Sequence, residues 1–387
     1  MKGPLRIAML AHSTNPRGGV VHAMQVAEAL TELGCEVVLH APDAKGQGFF
    51  RAPKCEARAF PVGPAPAGTF AMVEQRVEDY VAHFSLPRNR SFDIYHAQDG
   101  ISGNALAALK QRGLISAFVR TVHHIDDFPD ARIARLQSRA IHAADACVTV
   151  SALWRDRLAQ TFGIRATVCG NGVDIGRFRP DRDGSEDELR GRLGIGPGPV
   201  FLSVGGIEER KNTLNLLDAF ARLLVVRPDA KLVIAGGASL LDHGRYQKKF
   251  RSRLVAMGEA AASVCLLGII ADADMPRLYR LASALAFVSV KEGFGLCVLE
   301  AMASGVPVVV SAIEPFTGYL SAEDAIWCDP LSVGSIAEAM ALALDEKFAA
   351  PLRGRGRGCA LAAGFNWRAV ARAHEPVYQR MMEVAHA

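Results

Sequence analysis

The chain has 387 residues, 50% hydrophobic and 22% charged, with a formal net charge of +4. That length exceeds one ordinary core and suits two domains. The charge is too small to imply nucleic acid, no aromatic and basic residues interleave as a single-strand platform requires, and no window approaches the roughly 18 uninterrupted apolar residues of a membrane span. The eight cysteines form no Cys-x-x-Cys pair, so neither a zinc site nor a disulfide framework is indicated. The opening run is too short for a signal-peptide core, and the expected location is the cytoplasm.

Leu5–Ala11 reads as a buried first strand, followed by a loop ending in Gly18-Gly19 and a helix over Val20–Leu33. Glu36–His40 is the next strand, so the chain opens in a Rossmann-like way. Gly-x-Gly-x-x-Gly is absent, which argues against a nicotinamide or flavin site. Glycines at a helix start let a backbone approach a phosphate closely, and a plain tight turn is the alternative. Residues 43–70 are rich in Pro and Gly and suggest no element. Phe92–His96 and Ala117–His123 read as strands, with a short helix over Asn104–Gln111 between them. The second strand ends in His123-His124, of which at most one should face a ligand crevice, because neighbouring strand residues point to opposite faces. No third ligand has the spacing a metal would need. Arg132, Arg135 and Arg139 line one side of a helix. A solvated face is the favoured reading, with weak peripheral membrane contact or an anionic acceptor as the other. Ala146–Val150 and Ala166–Cys169 complete this half, which ends in the turn dipeptide Asn171-Gly172.

From Asp174 to Pro199 prolines and glycines surround one short helix, and the domain boundary is expected there, with domains at 1–174 and 175–366. A second βα series begins with Val200–Val204, followed by Gly205-Gly206-Ile207-Glu208-Glu209-Arg210-Lys211-Asn212. Arg210 and Lys211 beside glycines, just past a strand, are where a diphosphate would need charge; a surface cation pair is the bland alternative.

The most informative stretch is Lys291–Pro307, a glycine loop and helix between the strand-like runs Ala284–Val290 and Val306–Val310. Glu292 lies in the loop. Glu300 is the only charged residue between Phe294 and Val310, and burying an unpaired charge is costly. The first helical amides of this unit could meet an anion, and Glu300 could meet hydroxyl donors on the same ligand. The bland reading is one chance acid beside a glycine-rich turn.

Taken together, Gly18-Gly19, Thr121-Val122-His123, Asn171-Gly172-Val173-Asp174, Gly205 to Lys211 and Glu292-Gly-Phe-Gly-Leu-x-x-x-Glu300 resemble the GT-B glycosyltransferases. The nearer likeness is to their retaining family 4, glycosyl transferases group 1. The resemblance implies an α/β fold of two Rossmann-like domains facing across a cleft, with the terminal helix, residues 367–387, crossing back to the first. It implies transfer of a hexose-type sugar from a nucleoside diphosphate sugar to an acceptor hydroxyl, the acceptor being a sugar, a lipid-linked molecule or a small molecule. It implies no cofactor and no metal. Glu300 would hold the ribose hydroxyls. Glu292 and the stretch Gly293, Phe294, Gly295 and Leu296 would meet the sugar and diphosphate, with Lys211 on the diphosphate. Gly18 and Gly19 would approach the diphosphate, and His123 would lie near the sugar. One departure stands out: Gly206 occupies the family's arginine position, and Arg210 beside Lys211 is the suggested substitute. A nucleotide-sugar epimerase on the same fold and a catalytically silent nucleotide-sugar-binding protein are the alternatives.

Overall fold

A computed structural model of the chain describes residues 3–237 and 243–386. Met1, Lys2, residues 238–242 and Ala387, which the expected domain ranges include, lie outside the described residues. The chain divides into two compact units, one holding everything up to Asn171 together with the segment from Trp367, the other Gly172–Asn366. The first unit thus ends at Asn171 rather than at 174. The segment expected as a linker is folded into the second unit. Its short helix, Ser185–Arg192, carries the fully buried Glu186, which pairs with the buried Arg280 on the helix Met275–Leu281. A buried pair of this kind is strongly destabilising to break, because the remaining charge has no water.

The first unit is a seven-stranded parallel sheet. Its strands are β1 (Arg6–Leu10), β2 (Glu36–Asp43), β3 (Glu56–Pro61), β4 (Ile94–Ala97), β5 (Val119–Val122), β6 (Ala146–Thr149) and β7 (Ala166–Val168). Their spatial order is β3-β2-β1-β4-β5-β6-β7. Helices on both faces bury the strands, so they read as apolar runs; Ile7 to Leu10 are completely buried. Two elements here escaped the sequence reading, one inside residues 43–70 and one that begins at the end of that stretch. β3 is an edge strand whose first residues are only partly buried, so it has no apolar run to reveal it. The helix Thr69–Ser85 packs Tyr80 and Phe84 into the core, and the Tyr80 hydroxyl donates to the carbonyls of Ala11 (2.6 Å) and His40 (3.0 Å). The terminal helix, Trp367–His386, belongs to this unit. It packs on the helix Gly18–Glu32 and on β4, where the Tyr378 hydroxyl meets His96 Nδ1 at 2.7 Å.

The second unit is a six-stranded parallel sheet of β8 (Val200–Val204), β9 (Lys231–Ala235), β10 (Val264–Gly268), β11 (Ala284–Phe287), β12 (Val308–Ser311) and β13 (Ile326–Cys328). Its order is β10-β9-β8-β11-β12-β13. Both sheets reverse direction of strand addition once, between β1 and β4 and between β8 and β11. In open parallel sheets ligands bind at the carboxyl ends of the strands beside that reversal. Among the described residues, no helix is long and apolar enough to cross a membrane.

Candidate active site

In the second unit the chain leaves β8 through Gly205 and Gly206 and turns through a short 3₁₀ segment, Glu209–Lys211. Gly205 has φ +141°, and a Cβ there would lie 2.9 Å from Lys211 Cε. The glycine therefore lets the lysine stem lie across the backbone. At Gly206 a Cβ would lie 2.5 Å from the Gly237 carbonyl oxygen. The position that carries arginine in the family pattern is closed to any side chain here. Asn212 follows in the left-handed region (φ 57°). Its buried Nδ2 donates to the carbonyls of Val288 (3.0 Å) and Pro330 (2.6 Å), and the Val290 amide donates to the Arg210 carbonyl at 2.9 Å. These bonds tie the loop after β8 to the loop after β11.

The two loops meet at Glu292. Its Oε1 lies 2.6 Å from Lys211 Nζ and 2.8 Å from Arg210 Nη1. Burial opposes ionisation of this carboxyl, but Lys211 and then Arg210 overcome it and hold the group down to about 2. Lys211 Nζ also sits 4.3 Å from the Phe287 ring centroid, within cation–π range. Arg210 also faces the buried Glu208, Nη2 to Oε2 at 3.7 Å, so the two cations are balanced in formal charge by two carboxylates. Arg210 is the most exposed of the four.

Beyond Glu292 the loop bends through Gly295 (φ +93°), which stands as N-cap of the helix Leu296–Ala303 with no side-chain cap. The Phe294 ring does not line the loop. It is buried in a parallel stack with Tyr319, 4.8 Å between centroids, and the Tyr319 hydroxyl donates to the Phe294 carbonyl at 3.1 Å. What Phe294 can offer a ligand is backbone. Glu300 is half-buried, and the partner that its burial requires is a protein side chain. Its Oε2 accepts from the Tyr279 hydroxyl at 2.7 Å. Burial raises its pKa, and the Tyr279 bond and the Arg177 charge reduce that rise without cancelling it. Gly293 and Leu296 lie in the same loop and helix start.

In the first unit, the Gly18-Gly19 pair opens the helix Gly18–Glu32 at the carboxyl end of β1, and His123 follows β5. The two meet: a Cβ on Gly19 would lie 3.7 Å from His123 Cδ2 and Nε2. His123 Nε2 is 3.3 Å from Gln98 Oε1, and its ring is edge-on to His22 at 4.7 Å. Burial, with the charges of His22 and Arg120 behind it, holds His123 well below the usual histidine range, so it is neutral at pH 7. His124 instead is exposed and pairs with Asp126 at 3.0 Å. Both lie just past the end of β5, and of the two only His123 turns toward Gly19. Asn171, read from the sequence as a turn residue, places its Oδ1 2.6 Å from His22 Nδ1 and so steadies the ring beneath His123. Gln98, His22 and Tyr279 carried no sequence signal, since each acts through a residue distant in the chain. No cluster of three metal-binding side chains occurs among the described residues.

Two doubly wound parallel domains, with the terminal helix returned to the first, are the architecture of the GT-B glycosyltransferases. Solved structures share the fold. Sucrose-phosphate synthase from Thermosynechococcus elongatus aligns over 99% of this chain and all of its own, with a TM-score of 0.77 at 19% identity. HepE from Anabaena, solved in complex with UDP-glucose, aligns over 97% of this chain and all of its own, with a TM-score of 0.76 at 19% identity. The glycogen synthase of Mycobacterium tuberculosis is 28% identical over 331 residues, 81% of this chain and 75% of that one. The model of Glycosyltransferase Family 4 matches residues 16–177, and the model of Glycosyl transferases group 1 matches residues 185–356. The chain belongs to the family 4, group 1 glycosyltransferases.

Proposed function

We propose that this glycosyltransferase moves a hexose-type sugar from a nucleoside diphosphate sugar to an acceptor hydroxyl, with retention of anomeric configuration. The observation that carries the reading is the Lys211–Glu292–Arg210 cluster at the switch point of the second sheet, one loop away from Glu300. Two cations on the loop after β8, held against the loop after β11 with Arg210 between Glu292 and Glu208, suit the oxygens of a diphosphate, and HepE, which shares the fold, is solved with UDP-glucose. Glu300 offers carboxylate oxygens to ribose hydroxyls. The uncapped start of Leu296–Ala303 offers amides to phosphate oxygens. Glu292 serves the sugar hydroxyls; in the first unit, the neutral His123 beside Gly18 and Gly19 is by itself a surface suited to sugar hydroxyls and phosphate.

In the reaction, the bond from the anomeric carbon to the phosphate oxygen breaks and the acceptor oxygen bonds to the same face. The acceptor's proton passes to the departing phosphate oxygen. Negative charge grows on the diphosphate as it leaves, and Lys211 and Arg210 stabilise it there. No cofactor beyond the nucleotide sugar takes part.

The test is proton NMR of the product formed from a panel of nucleoside diphosphate sugars and acceptors. The anomeric coupling of the new linkage should match that of the donor. An inverted linkage would sink the retaining assignment, and release of an epimerised nucleotide sugar would replace transfer with epimerisation.

A further inference from the structure

Glu300 lies within reach of groups from several elements. Tyr279, on the helix Met275–Leu281, is completely buried and donates to Oε2 at 2.7 Å. Its ring is held edge-on by Phe178, 5.7 Å between centroids, so the hydroxyl has little freedom to turn elsewhere. Cys297, one turn before Glu300 on the same helix, is hydrogen-bonded to the Tyr279 hydroxyl. The other charged groups acting on Glu300 are Arg177 and Asp272, which are paired with each other at 2.8 Å and largely offset one another. Tyr279 is thus the directional contact on this carboxylate.

We infer that Tyr279 is the positioning residue of the donor site, fixing one Glu300 oxygen so that the carboxylate presents its other oxygen to the two ribose hydroxyls of a nucleoside diphosphate. This rests on the donor site proposed above. A carboxylate free to rotate would bind the same hydroxyls at an ordering cost, and one lacking the phenolic donor would be protonated at higher pH.

The experiment uses the full chain and calorimetry with uridine, guanosine and adenosine diphosphates. The tightest binder is then compared with its 2′,3′-dideoxy counterpart from pH 5 to 8. Taking the ratio of the two affinities cancels titration of the phosphates. Wild type should prefer the ribonucleotide, and Glu300→Gln should erase that preference. Tyr279→Phe should reduce it about tenfold, the order expected for one charge-assisted hydrogen bond, and move its acid midpoint upward. Replacing Tyr279 by 3-fluorotyrosine keeps the packing and makes the phenol a stronger donor, so it should move the midpoint downward; this arm holds even if the phenylalanine variant folds poorly. Preference and midpoint unchanged in both Tyr279 variants, with Glu300→Gln still erasing the preference, would overturn the role of Tyr279 alone. Full preference surviving in Glu300→Gln, or no diphosphate bound by wild type, would overturn the donor-site reading beneath it.

Discussion

At the scale of single residues, the central fact is that Lys211 and Arg210 share one carboxylate oxygen of Glu292. The sequence shows each of the three beside a glycine turn, and the family pattern assigns a diphosphate to Lys211. It does not show that the cations meet a glutamate 81 residues away, because that contact depends on two strands lying side by side. The partner of Glu300 was hidden for the same reason: cost of burial demanded one, but nothing along the chain named Tyr279. The pairing has a kinetic consequence. Lys211→Ala leaves Arg210 between Glu292 and Glu208, so the fold should survive while the ammonium proposed to meet the leaving diphosphate is lost. Turnover should fall about 10²-fold or more, the usual order for removing one preorganised stabilising group, with the melting temperature little changed. Steady-state kinetics with unaltered kcat would leave the cation pair with no part in the reaction.

At the scale of elements, the glycines separate into those that the backbone requires and those that it merely allows. Gly295 begins the helix that carries Glu300. It has φ +93°, and a Cβ there would lie 2.6 Å from Phe316 Cε1. Gly295→Ala combines left-handed strain with a clash inside the core and should cost about 2–4 kcal/mol. At Gly18 an added Cβ would meet nothing within 4 Å, and φ is not positive. Alanine there should change stability by under about 0.5 kcal/mol, as surface substitutions usually do. Urea denaturation of the two variants checks the contrast; equal stabilities would show that the loop geometry is not what the helix start depends on. The glycine loops and the apolar parallel strands were legible in the sequence because both signals are local. β3 was not, since an edge strand half open to solvent has no apolar run, and the following helix, Thr69–Ser85, lay next to a stretch dominated by Pro and Gly. The segment after Asp174 misled for the opposite reason: its loop-like composition hides the buried pair of Glu186 with Arg280 that folds it into the second unit.

At the scale of the whole molecule, the two units differ in their response to acid. His12, His22, His40, His83, His96, His123 and His374 all belong to the first unit, and in each burial is the largest influence and lowers the pKa; His22 is brought down to about 3, and His83 and His374 to about 4. A histidine lowered in the folded state binds its proton first when unfolded. Each such group therefore costs nothing above its unfolded pKa of about 6.5, and below it weakens the fold by up to about 1.4 kcal/mol per pH unit until the folded group titrates. The second unit has one histidine, His243. Hydrogen exchange at pH 7 and pH 5 should show the strands of the first unit losing protection well before those of the second. Equal loss in both would contradict the buried, neutral state of these rings.

The two-domain α/β plan was legible in the repeated strand and helix alternation, and the family in the spacing of Glu292 and Glu300. What ties these features into one account is the proposal that the second unit holds a nucleotide-sugar donor, with Lys211 and Glu300 at its two ends. Calorimetric titration of the full chain with a panel of nucleoside diphosphate sugars tests this most directly, comparing wild type with Glu300→Gln. The account predicts saturable binding of at least one donor by wild type, weakened about tenfold or more by the substitution, the scale of a lost hydrogen bond to a charged group. Equal affinity in the two proteins, or no binding of any donor by wild type, would contradict it.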